Sequence, residues 1–248
     1  MGLPIRISES SKEFYNLIEN LEPGTKVLNQ FIIPTNLMGD IMPQSIDLIY
    51  HLLKKDVQLF FVGVGLADGI LNLIDSQVWS QFDPIDFGKE YGVDWVNLGY
   101  IAGQQASWVA FAADIRSTVQ YDREGNSIDS LPIMQNVNSM DDFDIIIQYG
   151  ESIAQGVSYW GDPYQKPLFI VTLTGHVPTW CIPFKNSGQI IAYLGGVGSG
   201  AEYEQLINRP GKAIVSLDAL SVSHIFFIFL LFIGNLSYLW IRMKGEKI

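Results

Sequence analysis

Ser152 and His176 stand where covalent chemistry would need them. Gly150-Glu151-Ser152-Ile153-Ala154 follows an apolar run and precedes a helical pattern, the context in which a nucleophile elbow presents its serine on a tight strand-to-helix turn. His176 follows the next apolar run and would be the base of a serine hydrolase. Three features count against that chemistry. The pattern ends in Ala154 where the elbow has glycine, no acid is clearly placed to orient His176, and Ser152 serves equally well as a helix cap. Cys181 adds a thiol, but a base and a nucleophile five residues apart on one loop make no workable pair. A buried, free cysteine is the plainer expectation.

A second chemistry is suggested by Gly195-Gly196-Val197-Gly198-Ser199-Gly200-Ala201. Read as GxGxxA from Gly196, it imitates the turn that lets a pyrophosphate approach a helix N-terminus. In nucleotide folds that turn follows the first strand, whereas here only about twenty residues separate it from a long apolar run, and Glu202 and Glu204 would repel phosphate. The glycines are left as an interface, a ligand cradle, or a bend between sheet and membrane. Met140-Asp141-Asp142-Phe143-Asp144 clusters three carboxylates, but one run of this kind ordinarily makes a solvated turn, not a cation site. No metal and no cofactor is expected, and His51 reads as an ordinary histidine on a helix.

These residues need elements to position them. Short apolar runs at Lys26–Ile33, Val57–Val64, Trp95–Ile101, Asp144–Tyr149, Leu168–Leu173 and Gln189–Leu194 read as buried strands. Helical patterns lie between them. Gln104–Val119 carries Trp108, Phe111, Ala112, Ile115 and Val119 on one face, and Pro43–Lys55 carries Ile46, Ile49, Tyr50 and Leu53. Further helices are expected from Ser10, with Glu13 completing a capping box, and over Ala201–Ile207. The polar segment Tyr121–Asn138 is expected as a surface loop. Strand and helix in alternation predict an α/β fold, an open doubly wound and mostly parallel sheet of about five or six strands. Ligands of such sheets gather beyond the carboxyl ends of the strands, which draws attention to Asn36, Asp40, Gly63, Gly65, Asp68, Gly150, Glu151, Ser152, Thr174 and His176.

The chain of 248 residues has 48% hydrophobic residues and a net charge of −11, which excludes an acidic disordered tail and argues against a nucleic-acid partner. One cysteine excludes an intramolecular disulfide framework. From Val222 to Ile241 about twenty uncharged residues in succession form a stretch long enough to cross a bilayer. The organisation expected is a soluble domain over residues 1–215, a membrane-anchoring helix over 216–243 and a basic tail over 244–248. His224, Gly234, Asn235 and Ser237 inside the anchor are groups that bond across helices or permit close approach, so membrane lipid and other membrane subunits, or further copies of this chain, are the partners expected. Arg242, Lys244 and Lys247 follow the span against Glu246 alone, leaving 12 of the 15 basic and 25 of the 26 acidic side chains before it. Such a tail belongs inside the cell and places the large domain outside, yet Met1–Phe14 carries no signal sequence for export. Either an N-terminal signal or span has been lost, the favoured expectation, or the protein is tail-anchored with its domain in the cytosol.

Leu194-Gly195-Gly196, Gly200-Ala201-Glu202-Tyr203-Glu204 and the span opening Ser221-Val222-Ser223-His224 together resemble an uncharacterised prokaryotic family of membrane-anchored, Rossmann-like α/β proteins. Asp94–Tyr100, Ala113–Arg116, Leu131–Met134 and Asp142–Asp144 extend the likeness over most of residues 3–240. The resemblance implies a further N-terminal span just before Gly2-Leu3-Pro4-Ile5, which would resolve the topology, and supplies no catalytic residues. Ile7–Phe14 is similar, more loosely, to extracytoplasmic domains of auxiliary components of ABC-type transporters. The function expected is a non-catalytic binding or scaffold subunit of a larger membrane assembly. The alternative is a membrane-anchored hydrolase using Ser152 and His176.

Overall fold

A computed structural model describes residues 4–65 and 74–243. Among these, six strands form one all-parallel sheet: β1 (Lys26–Ile32), β2 (Gln58–Gly65), β3 (Trp95–Ala102), β4 (Ile145–Gly150), β5 (Leu168–Thr172) and β6 (Ala192–Gly195). Their order is β3-β2-β1-β4-β5-β6, the doubly wound order of Rossmann folds, which reverses direction between β1 and β4. Period-two alternation sends each strand's side chains to two separate cores. Phe31, Ile147, Tyr149 and Phe169 lie in one, Leu28, Phe60, Ile146 and Ile170 in the other. Both faces are covered, and so the strands are mostly apolar.

Helices α1 (Glu9–Glu19) and α2 (Met38–Leu53) supply side chains to the first core. The second is covered by α3 (Gln105–Ala113), α4 (Ile115–Thr118) and α5 (Ile153–Gly156), with Trp108 and Trp160 at its centre. After β5, a wide turn over Val177–Cys181 leads into α6 (Ile182–Asn186), and after β6, α7 (Gly196–Leu206) returns to the first face, where Tyr203 is wholly buried. The last element, α8 (Lys212–Met243), is long and apolar enough to cross a membrane.

The fold class follows the alternation of strands and helices, and the differences lie at helix boundaries. The helix expected over 104–119 is broken at Asp114, which adopts extended backbone (φ −154°, ψ 101°) and caps α4 by accepting from Ser117 N at 3.0 Å. Helix α2 starts five residues before Pro43 because a 3₁₀ turn over Thr35–Leu37 leads directly into it. Ser8, not Ser10, caps α1 by accepting from Ser11 N, while Glu13 pairs with Lys185. Residues 121–138 are more than a surface loop, since Ile128, Ile133, Met134 and Val137 are buried. Arg116 pins the segment through Asp129, the Met134 carbonyl and Asn138. Helix α7 takes in the glycine run from Gly196 onward, and α8 begins at Lys212, so the boundary expected at 215/216 falls inside its opening turns.

Candidate functional site

The carboxyl edge of the sheet gathers most of the residues that the sequence singles out. At the reversal point β1 and β4 remain paired to their ends, and one residue beyond, Glu151 N donates to Ile32 O at 3.0 Å. Gly150 permits this approach: its φ is +115°, and a Cβ there would stand 2.1 Å from Ile32 O. Ser152 follows in the left-handed region (φ 62°, ψ 34°) at the start of α5, with no capping bond from its side chain. That is the strand–turn–helix setting of an elbow.

Thr172 fixes the state of His176. Its hydroxyl donates to Gly150 O at 2.8 Å, so at 2.9 Å from His176 Nδ1 it accepts the ring proton. Among the described residues no hydrogen bond reaches Nε2, which in the neutral ring is then the acceptor. The arrangement sets a tautomer suited to a base, but the orienting group is a neutral hydroxyl in place of the carboxylate that stabilises an imidazolium in hydrolase triads. No hydrogen bond joins Ser152 to His176 among the described residues. Cys181 is buried, and burial pushes its thiol up to about 12, away from a reactive thiolate.

The glycine run is closely packed at three of its four glycines. A Cβ on Gly195 would meet Val177 Cγ2 at 2.2 Å, and one on Gly196 (φ +76°) would meet Thr174 Oγ1 at 1.9 Å. Gly200 lies against Ala213 of α8 and Gln44 of α2. Gly198 has nothing within 4 Å. The first turn of α7 already holds an anionic partner, because Asp40 Oδ1 accepts from Val197 N at 3.1 Å. Gly65 (φ +125°) lies against Ile32 and receives the Tyr100 hydroxyl on its carbonyl. Asp68 lies outside the described residues.

Downstream of the glycines, each residue of Ala201-Glu202-Tyr203-Glu204 has its own neighbour. Ala201 packs in a small cluster with Ala213 and Ile214. Glu202 accepts from Ser8 N at 3.1 Å and from Ser8 Oγ at 2.5 Å. The Tyr203 hydroxyl is 2.8 Å from His51 Nδ1, and His51 Nε2 is 2.7 Å from Glu19. Burial lowers the His51 pKa, and in the neutral ring Nε2–H donates to Glu19 while Nδ1 accepts from Tyr203. Glu204, wholly buried, accepts from Gly211 N at 2.9 Å, Ala213 N at 2.7 Å and Ile214 N at 2.8 Å. Its carboxylate therefore caps the N-terminus of the membrane-length helix from another helix, satisfying donors that would otherwise be orphaned.

Asp47 of α2 completes this junction. It is buried and bonds Arg209 Nη1 through Oδ1 at 2.6 Å. Burial and then the Glu204 charge push its pKa up to about 8, against the pull of Arg209. Arg209 also lies 4.6 Å from the Tyr50 ring centroid. Beside it opens a cleft of about 530 Å³ lined by Pro43, Ile46, Asp47, Arg209, Lys212 and Val215.

Comparison of the chain with protein-family models, curated proteins and solved structures gives no match. Sequence reasoning missed Glu204, Asp47 and Arg209 as a unit because their contacts join α2, α7 and α8 across long separations. It also missed Gln30 and Gln148, aligned on adjacent strands and buried, of which the Gln30 amide has no protein partner among the described residues. In α8, His224, Gly234, Asn235 and Ser237 are all exposed, whereas Ser223 bonds back to its own helix at Ala219 O. Asp142 and Asp144 of the acidic run accept from backbone N–H groups, of Asn138 and Ser139 and of Lys26 respectively.

Proposed function

We propose that the protein is a binding or scaffold subunit of a larger membrane assembly, its acidic α/β domain carried outside the cytoplasm on a single C-terminal span. The observation that carries this is the Glu204 cap. Two backbone donors in the first turn of the anchor, and Gly211 N just before it, end on a carboxylate buried in the domain, so that anchor and domain move as one body. A flexible tether only localises a domain; a rigid joint transmits the position of one to the other. The exposed polar positions of the anchor support a partner within the bilayer, since Asn235 and His224 are exposed in a single chain and lipid offers them no hydrogen-bond partner. The basic tail supports the orientation.

Native mass spectrometry of the protein extracted in mild detergent tests this. Defined companions, or a multiple of the 27.8 kDa chain, are expected, and Asn235→Leu is expected to loosen the complex. A solitary wild-type chain would refute an assembly role, and an unchanged assembly mass in Asn235→Leu would remove that side chain from the interface.

A further inference from the structure

The geometry points to a second membrane contact: the carboxyl edge of the sheet faces the bilayer and rests in its headgroup layer. This builds on the reading of α8 as a membrane span. Helix α7 descends from Gly196 at the carboxyl edge, and α8 turns back along it. Glu204, low on α7, holds the first N–H groups of α8, Gly200 lies against Ala213 one turn higher, and Leu217 joins Ile5 and Val197 on the same apolar cluster. Val215 meanwhile shares a cleft with Pro43, near the carboxyl-edge end of α2. The anchor thus leaves the domain on the side of the strand ends. Asp218 is the last charged residue before Arg242, so the hydrocarbon begins about one helical turn, roughly 5 Å, beyond Leu217. The headgroup layer is itself several ångströms deep and reaches the level of the strand ends.

Charge placement supports the same face independently. Between each described strand end and the helix that follows it, the carboxyl-edge connections at 33–37, 103–104, 151–152 and 173–176 contain one charge, Glu151, and Asp40, in the first turn of α2 just beyond them, is bonded to Val197 N. The opposite edge is highly charged, with Glu22, Lys54, Asp56, Glu90, Asp141 and Asp144 all exposed. In a chain with 26 acidic side chains so few charges in the described connections stand out, and this edge would meet less repulsion from an anionic bilayer than the opposite one. Pro178, Thr179 and Trp180 protrude there, Trp180 with 40% of its surface exposed. An exposed tryptophan at this level suits the headgroup boundary.

The test uses the full chain carrying Cys181→Ala in nanodiscs of phosphatidylcholine, with a fluorophore on a single new cysteine. Thr179→Cys and Gln104→Cys report the carboxyl edge, Asp56→Cys and Asp141→Cys the opposite edge, and Phe229→Cys the anchor. Lipid with a nitroxide headgroup is expected to quench the carboxyl-edge labels severalfold more than the opposite-edge labels, and acyl-chain nitroxide to quench the anchor label. Equal quenching at both edges, or carboxyl-edge labels shielded from solvent yet unquenched because protein covers them, overturns the contact. If the Phe229 label escapes acyl-chain quenching, the span itself fails; if it is quenched while Thr179 and Gln104 are not, only the surface contact fails.

Discussion

Four glycines of one run occupy four different environments. Gly196 combines a positive φ with a neighbour 1.9 Å from where a Cβ would stand, whereas Gly198 has open space. If the run exists to pack α7 into the fold, Gly196→Ala should cost about 1–3 kcal/mol through backbone strain and displacement of Thr174. Gly198→Ala should leave stability unchanged or raise it by up to about 1 kcal/mol, as expected for a helical glycine with room for a methyl group. Urea unfolding of the two variants in detergent checks this, and a comparable loss in Gly198→Ala would refute the packing explanation. The sequence marked the run as unusual, but spacing does not distinguish a phosphate turn from a packed one. What distinguishes them is Asp40 at the α7 N-terminus, which comes from another element. Ser152 and His176 were legible as strand-end residues for the opposite reason, since their positions follow from local alternation alone, while the Thr172 hydroxyl that sets the His176 tautomer is inside a strand and carries no such signal.

At the scale of elements, the junction of α7 with α8 decides how the anchor is held. The sequence made the long apolar helix plain and placed its start too late, because residues 212–217 mix polar and apolar side chains and resemble a linker until their neighbours are known. Helix breaks at Asp114 and the early start of α2 were hidden for a related reason: capping and 3₁₀ entry depend on backbone angles that apolar periodicity does not report. The cap itself makes a quantitative prediction. Glu204→Ala leaves the N–H groups of Ala213 and Ile214, both buried, without their acceptor, at about 1–3 kcal/mol for each orphaned donor. A loss of at least about 2 kcal/mol is therefore expected, with Glu204→Gln recovering part of it because one amide oxygen still accepts. Hydrogen exchange at Ala213 and Ile214 gives the specific signature, faster in Glu204→Ala while the strand amides keep their protection. Unaltered exchange at those two positions would mean that the carboxylate does not hold the anchor.

For the whole molecule, topology was the most legible property, since alternating buried strands and amphipathic helices admit few right-handed arrangements. Charge was legible only as a total. Its separation into described carboxyl-edge connections that carry few charges and a highly charged opposite edge emerges once the strands are ordered, because the relevant connections are scattered along the sequence. The same ordering buries Asp47 beside Glu204 where domain and anchor meet, and this gives the folded molecule a pH dependence of definite sign. A carboxyl raised from 3.8 to about 8 binds its proton more tightly folded than unfolded. Its contribution is fully present below the unfolded value and is lost as pH rises through the folded one. Between about pH 5 and pH 8 the urea midpoint of the full chain should therefore fall with rising pH, with a slope from this group of up to about 1.4 kcal/mol per unit. Asp47→Asn keeps the group neutral and able to accept from Arg209, so its stability should vary less over the same window and exceed that of the parent most clearly near pH 8. Parallel curves for the two proteins would place the proton elsewhere and show that the junction holds Asp47 as a carboxylate paired with Arg209.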